Sequence, residues 1–195
     1  MSLKIAMVGF MVGASAWAAS PKKDEVMSFK LDPSHTAIIF KINHLGFSNT
    51  YGQFPGTEGT FTINDLKPEK STLDLMIKTD SVTTLEKKRD EHLRSPDFFN
   101  VKQFPAITFK SKSVKKTDAT HYEITGDLTL HGVTKPVTFV FNRFKTDKDP
   151  WGNLRTGGET SFKIKRTDYN MNFMSEPGKV GDEVEMMISL EGIKT

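Results

Sequence analysis

Apolar and polar residues alternate with period two through segment after segment of this chain, and that pattern confines it to a β-sheet wetted on one face only. In "HTAIIFKINH" the set Ile38, Phe40 and Ile42 opposes Ile39, Lys41 and Asn43 and carries His44 with it. Successive side chains on a strand point to opposite faces, so the first set should face inward. The same reading gives Phe61 with Ile63, Leu73 with Leu75 and Ile77, and Ile107 with Phe109. Further on it gives Tyr122, Ile124, Leu128 and Leu130, then Val137, Phe139 and Phe141 in a segment that is apolar on both faces. The last inward sets are Phe162, Ile164 and Arg166, then Val184, Met186, Ile188 and Leu190. With a short strand near "MSFKLD" this makes about eight or nine strands joined by turn-rich stretches such as "FPGTEG", "NDLKPEK", "DKDPWGN" and "SEPGKVGD". The expected fold class is all-β, an up-and-down antiparallel barrel of about eight strands, because closure removes exposed edges and leaves room for one small ligand. A two-sheet sandwich with a filled interior is the competing architecture.

One segment departs from the alternation. "TTLEKKRDEHLRS" is rich in helix formers, offers Thr83 or Thr84 as N-cap with Glu86 in the first turn, and stops at Ser95-Pro96. It predicts a helix of about three turns lying as a lid over one end of the barrel. Leu85, His92 and Leu93 should share its inner face, and Phe98 and Phe99 should tuck in where the lid meets the barrel.

The N-terminus reads as an export signal over residues 1–18: Lys4, an apolar run from Ile5 to Val12, and the small-x-small ending Ala16-Trp17-Ala18. An uncleaved anchor is the alternative, although the run is shorter than the ~20 residues that span a bilayer. A polar leader over 19–27 then precedes one domain over 28–195, expected to be periplasmic. The chain has no cysteine, which excludes disulfides and thiolate chemistry. Its 27 basic and 24 acidic residues are interspersed, so no basic face for nucleic acid is formed.

Sites for chemistry are sparse. The histidines at 35, 44, 92, 121 and 131 show none of the short spacings of a zinc site, and His35, His44 and His92 could meet only through the fold. Asp90, Glu91, His92, Arg94 and Asp97 form the one dense titratable group. With no nucleophile or metal motif beside it, the group reads as a helix braced by an Asp90–Arg94 pair, with Asp97 bonding the turn after Pro96. An inward Arg166 requires a partner, for which Asp168 or the lid helix is the simplest candidate, unless it meets a ligand headgroup. No catalytic residue, metal or cofactor is therefore assigned. Much of the aromatic content, 15 Phe against two Trp and three Tyr, lies on inward sets. It serves either a filled core or the wall of a cavity for an elongated apolar molecule. The residues expected to line such a cavity are Ile38, Phe40, Ile42, His44, Phe61, Leu73, Leu75, Ile77, Phe98, Phe99, Phe109, Leu128, Leu130, Phe139, Phe162, Ile164, Arg166, Met186 and Ile188.

Three blocks, "LDPSHTAIIFKINHLGFSNTYGQF", "RDEHLRSPDFFNVKQFPAITFKS" and "GDLTLHGVTKPVTF", resemble those of the YceI-like family, lipocalin-like proteins that bind polyisoprenoid lipids. The resemblance runs from about Phe29 to Glu191. It implies an antiparallel barrel with a short helix and a bound isoprenoid, quinone-like or fatty-chain lipid. It also implies a carrier or stress-related role without enzymatic activity. Apart from the resemblance, a shuttle for such a lipid is expected to contact a membrane transiently as it loads and releases, and a homodimer is left open as a partner. A non-catalytic interaction module and an enzyme acting on isoprenoid lipids are the rival functions. The family positions carried over are His35, His44, Asp90, His92, Arg94, Asp97, Phe98, Phe99, His131 and Gly132. The sequence departs from the family at "RTDYNMNF", where Asn170 replaces a glycine.

Overall fold

The computed structural model describes residues 24–195; the expected signal at 1–18 and the start of the leader lie outside them. Ten strands follow in order: β1 (Met27–Leu31), β2 (Ala37–His44), β3 (Ser48–Gln53), β4 (Thr57–Ile63), β5 (Thr72–Lys78), β6 (Ala106–Lys116), β7 (His121–Leu130), β8 (Val133–Lys148), β9 (Leu154–Lys165) and β10 (Val180–Lys194). Between β5 and β6 lies the helix α1 (Lys87–Arg94). Met27 thus opens the first strand rather than closing the leader.

The ten strands wind as eight. β1 and β2 are one barrel strand, interrupted where Pro33 starts a single 3-10 turn capped by Asp32, whose side chain accepts from the Ser34 amide. β3 and β4 are another, interrupted at Phe54-Pro55-Gly56. The long β10 pairs with β2 through Val180–Ser189 and with β1 through Gly192–Lys194, while β1 also pairs with β4. The sheet closes on itself with every pairing antiparallel, so the barrel and not the sandwich is the fold. β3 has no strand on its outer side. Its edge is met by the chain before α1, where Gln53 and Thr83 exchange backbone hydrogen bonds of 2.8 and 3.0 Å. The segment that carries the lid therefore also completes the barrel wall.

Inward sets pack as the alternation requires, most strictly along β7, where every second residue from Tyr122 to Leu130 is buried. The interior is one apolar cluster from Leu31 to Leu190. At one end the barrel is closed by charge: Arg155 donates to Asp149, Asp32 and Glu191 at 2.7, 2.6 and 2.7 Å. Hydrogen bonds from Ser34, Arg155 and His35 hold the Asp32 carboxyl well below the usual carboxylate range.

The helix differs from its sequence reading in three ways. It has eight residues, its N-cap is Glu86, which accepts from the Arg89 amide at 2.7 Å, and Leu85 faces solvent. The reason is local. Leu85 adopts left-handed backbone, φ 62°, which no helix interior tolerates, and the two threonines proposed as caps are engaged elsewhere. Thr83 Oγ1, Thr84 Oγ1 and the Thr84 amide all donate to the buried carboxylate of Asp90.

Candidate functional site

Asp90 fixes the lid. Burial pushes its carboxyl up, but the bonds from the Thr84 side chain and backbone and from Thr83 outweigh burial and hold it below the usual carboxylate range. The expected Asp90–Arg94 pair does not form. Arg94 instead donates to the carbonyls of Asp80 and Val82, both at 2.7 Å, stitching α1 to the 3-10 turn that follows β5. Arg89 bonds Thr84 from the other side of the same knot. Asp90→Ala strands these donors, and we expect it to destabilise the protein by about 2–3 kcal/mol, read as a lower urea midpoint with faster amide exchange over 83–94. Because the folded pKa is depressed, the contribution of Asp90 is present above the unfolded value of about 3.9 and is lost as pH falls through the folded one. Wild type should loosen there in acid, and the alanine variant should show no such step.

Under α1 the barrel interior is open. A cavity of about 500 Å³ runs down from the lid, walled almost wholly by hydrocarbon and aromatic rings. The predicted residues Ile38, Phe40, Ile42, His44, Leu75, Ile77, Phe98, Phe99, Phe109, Leu128, Leu130, Phe139, Phe162, Ile164, Arg166, Met186 and Ile188 all line it. Phe61 and Leu73 do not. Leu73 lies one inward position beyond Leu75 and pairs across the sheet with Phe61, and both surround a second, smaller cavity of about 70 Å³ at the closed end, with Tyr122 and Phe141. Period two assigns a face, not a depth, so a face-based reading could not separate them.

The cavity opens between the β2–β3 turn, α1 and the segment 173–180, where its wall includes His44, Asn43, Thr50, Lys88, Arg89 and His92. At this rim His92, Phe98 and Phe173 stack edge to face, with centroids 5.0 to 5.3 Å apart. Asp97 is not spent on the turn after Pro96: its carboxylate lies 2.8 Å from His92 Nε2 and orients the ring. His35 does not converge with His44 and His92. It lies at the closed end, 2.9 Å from Asp32. Asp32, His35 and Glu191 stand close enough together to suggest a cation site, yet the two carboxylates already share the Arg155 guanidinium.

Arg166 is buried at 2% exposure, and no carboxylate among the described residues pairs with it. Asp168, the expected partner, pairs with Lys135 at 3.1 Å. All five N–H groups of the guanidinium are used on backbone carbonyls instead: Nε on Gly181, Nη1 on Met171 and Phe173, Nη2 on Met174 and Val180, at 2.7 to 3.1 Å. Burial pushes its pKa down, though an arginine stays charged in a protein. The chain can wrap the guanidinium because Asn170 takes left-handed backbone, φ 61°, at the end of a 3-10 turn. Asparagine tolerates that region better than most residues, so the substitution for glycine keeps the turn. Arg166 therefore holds the loop that delivers Phe173 and Met174 to the cavity.

Those two residues, with Phe54, Leu93, Ile107, Met171, Val180 and Val184, line the cavity but were absent from the sequence assignment. Ile107 and Val184 were on inward sets and could have been included; Phe173 and Met174 sit on irregular chain, where no periodicity speaks. His131 and Gly132 form a two-residue hairpin turn between β7 and β8, with φ 50° and 76°. A Cβ on Gly132 would lie 2.6 Å from Phe104, and His131 Nδ1 bonds the Tyr169 carbonyl at 3.1 Å. Their role is architectural.

A closed eight-stranded meander around an apolar cavity open at one end defines a lipocalin-like binding protein. The sequence profile of the YceI-like domain matches residues 29–192, and the chain belongs to that family. It is 42% identical to Protein YceI of Escherichia coli O157:H7 over 194 residues, which cover 100% of this chain and 96% of that one. The crystal structure of the Campylobacter jejuni YCEI protein superposes with a TM-score of 0.71 at 30% identity, covering 78% of this chain and 90% of that one. At 15% identity the fold is shared with a polyisoprenoid binding domain from Saccharophagus degradans, with a TM-score of 0.65 over 87% of this chain and 99% of that one.

Proposed function

We propose that this protein binds an elongated apolar lipid, a polyisoprenoid, quinone-like or fatty-chain molecule, in the barrel cavity and carries or stores it in the periplasm without chemically altering it. The observation that carries this reading is the cavity itself: about 500 Å³ of apolar space under a hydrogen-bonded lid. At ~24 cal/mol per Å³, leaving such a space empty and dry would cost on the order of 10 kcal/mol, comparable to the whole stability of a domain. An apolar occupant removes that cost. Each five-carbon unit moved from water into it contributes roughly 4 kcal/mol before losses, but the same unit is equally at home in a bilayer. Net affinity against a membrane is then modest, as a protein that both loads and unloads requires. The polar end of the lipid would sit at the rim, among His44, Lys88, Arg89 and His92. The name of the S. degradans domain and the membership of the family point the same way.

The test is a titration of solvent-stripped protein with a fluorescent polyene fatty acid, followed by competition with a polyprenyl alcohol. Saturable one-to-one uptake, displaced by the prenyl chain and accompanied by a rise in Tm, is expected. Uptake that never saturates, with an unchanged Tm, would remove the cavity from consideration as the site.

A further inference from the structure

Among the described residues, three bulky apolar side chains sit on left-handed backbone: Leu45 at φ 55°, Leu85 at φ 62° and Met174 at φ 47°. That conformation brings Cβ against the following carbonyl, so it is rare outside glycine, asparagine and aspartate, and it persists where surrounding contacts impose it. All three lie in the loops that frame the mouth of the cavity: the β2–β3 turn, the chain entering α1, and the segment before β10. Two of these loops also hold the most exposed large apolar side chains among the described residues, Phe47 at 88% and Leu85 at 90%.

Neither exposure is slack chain. The turn under Phe47 is tied by Asn43 Oδ1, which accepts from the Gly46 amide at 2.8 Å, and by the His44 carbonyl, which accepts from Phe47 at 3.0 Å. Leu85 stands between Thr84, bound to Asp90, and Glu86, which caps the helix. Beside Leu85 the first turn of α1 carries Lys87 and Lys88, both exposed, while its acids are committed, Glu86 to the Arg89 amide as N-cap and Asp90 to Thr83 and Thr84. Cations at a helix N-terminus oppose the macrodipole, which favours acids there. Strained backbone, apolar side chains held in water and lysines at the unfavourable helix end are each disfavoured for a free molecule. Their coincidence on one rim is accounted for by a partner that is greasy and negatively charged.

We infer that the mouth rim is a docking face for an anionic phospholipid bilayer, with Phe47 and Leu85 entering the interface and Lys87 and Lys88 resting on the headgroups. This rests on the lipid-binding reading above and gives the cavity its loading position: with the rim seated, an apolar chain passes from bilayer to barrel without crossing water. Basic residues attract anionic leaflets, and apolar side chains supply the contact that survives salt.

The experiment is sedimentation of the purified protein with vesicles of phosphatidylcholine, with and without phosphatidylglycerol. Wild type should partition onto the phosphatidylglycerol vesicles and less so as salt is raised. The double variant Phe47→Ser, Leu85→Ser should lose at least about tenfold in partitioning, and Lys87→Glu, Lys88→Glu should lose binding to the anionic vesicles. Trp151→Ser removes a side chain 80% exposed in the β8–β9 turn at the closed end, and it should bind as wild type. The inference is overturned if wild type sediments with neither vesicle, or if Trp151→Ser weakens binding as much as the Phe47, Leu85 pair. Extracted lipid is measured on the same preparations. Lipid-loaded protein that ignores vesicles overturns the docking face and leaves the cavity reading standing. Rim-dependent vesicle binding by protein that yields no lipid and, once stripped, takes up no apolar probe supports the docking face and removes the cavity reading.

Discussion

Arg166→Met should destabilise the protein by about 3–5 kcal/mol, among the largest effects of any single substitution outside the apolar cluster. The methionine fills similar space but leaves five carbonyls, of Met171, Phe173, Met174, Val180 and Gly181, without the donors that hold them together. Desolvated carbonyls without donors are costly, and the loop 171–181 can regain water only by leaving the barrel. Because that loop delivers Phe173 and Met174 to the cavity, the variant should also bind lipid more weakly than its residual stability implies. Arg166→Lys should recover only part of the loss, since an ammonium offers three donors from one point where the guanidinium offers five in a plane. Urea unfolding gives the stability, and amide exchange over 171–181 shows whether the loop opens before the barrel. A midpoint equal to wild type for the methionine variant would mean that the carbonyl cage is not what holds the rim.

Filling the cavity should separate binding from folding. Ile164 and Ile188 line it and are only partly packed against the core, so Ile164→Trp and Ile188→Trp place an indole in space that the ligand would use. Excluding one five-carbon unit forfeits about 4 kcal/mol of apolar transfer, enough to weaken binding by two to three orders of magnitude, roughly. The stripped variants should melt at or above the wild-type temperature, because the new ring removes cavity instead of creating it. Lipid content after extraction and Tm of the stripped protein are the two readings. Variants that fold normally and keep a full lipid complement would place the ligand elsewhere.

The parts of this molecule legible in the sequence are those governed by a period. The strands β2 and β4 to β10 and most of their inward faces follow from alternation that is strict in β7, whereas β3, whose only buried residue is Gly52, carries no such signal, and alternation alone fits a barrel and a sandwich equally. Most of the cavity wall follows with them. Depth is not periodic, so Phe61 and Leu73 look like Leu75 yet surround a different cavity. Irregular chain escapes for another reason: its geometry is set by tertiary hydrogen bonds. The helix looked longer because helix propensity runs back to Thr83, but Asp90 draws Thr83 and Thr84 out of the helix and Leu85 turns left-handed. Arg166 was expected beside a carboxylate because charge seeks charge; three carbonyls from the loop before β10 and two from the start of that strand are sufficient, and no local motif announces such a cage.

The central claim, that the barrel is built around an apolar lipid, is tested most directly by purifying the protein from its native host, extracting it with organic solvent and identifying the extract by mass spectrometry. An isoprenoid or fatty-chain molecule in near-stoichiometric amount, absent from extracts of Ile164→Trp prepared in the same way, is the predicted result. An empty extract from folded protein that afterwards takes up no apolar probe would contradict it.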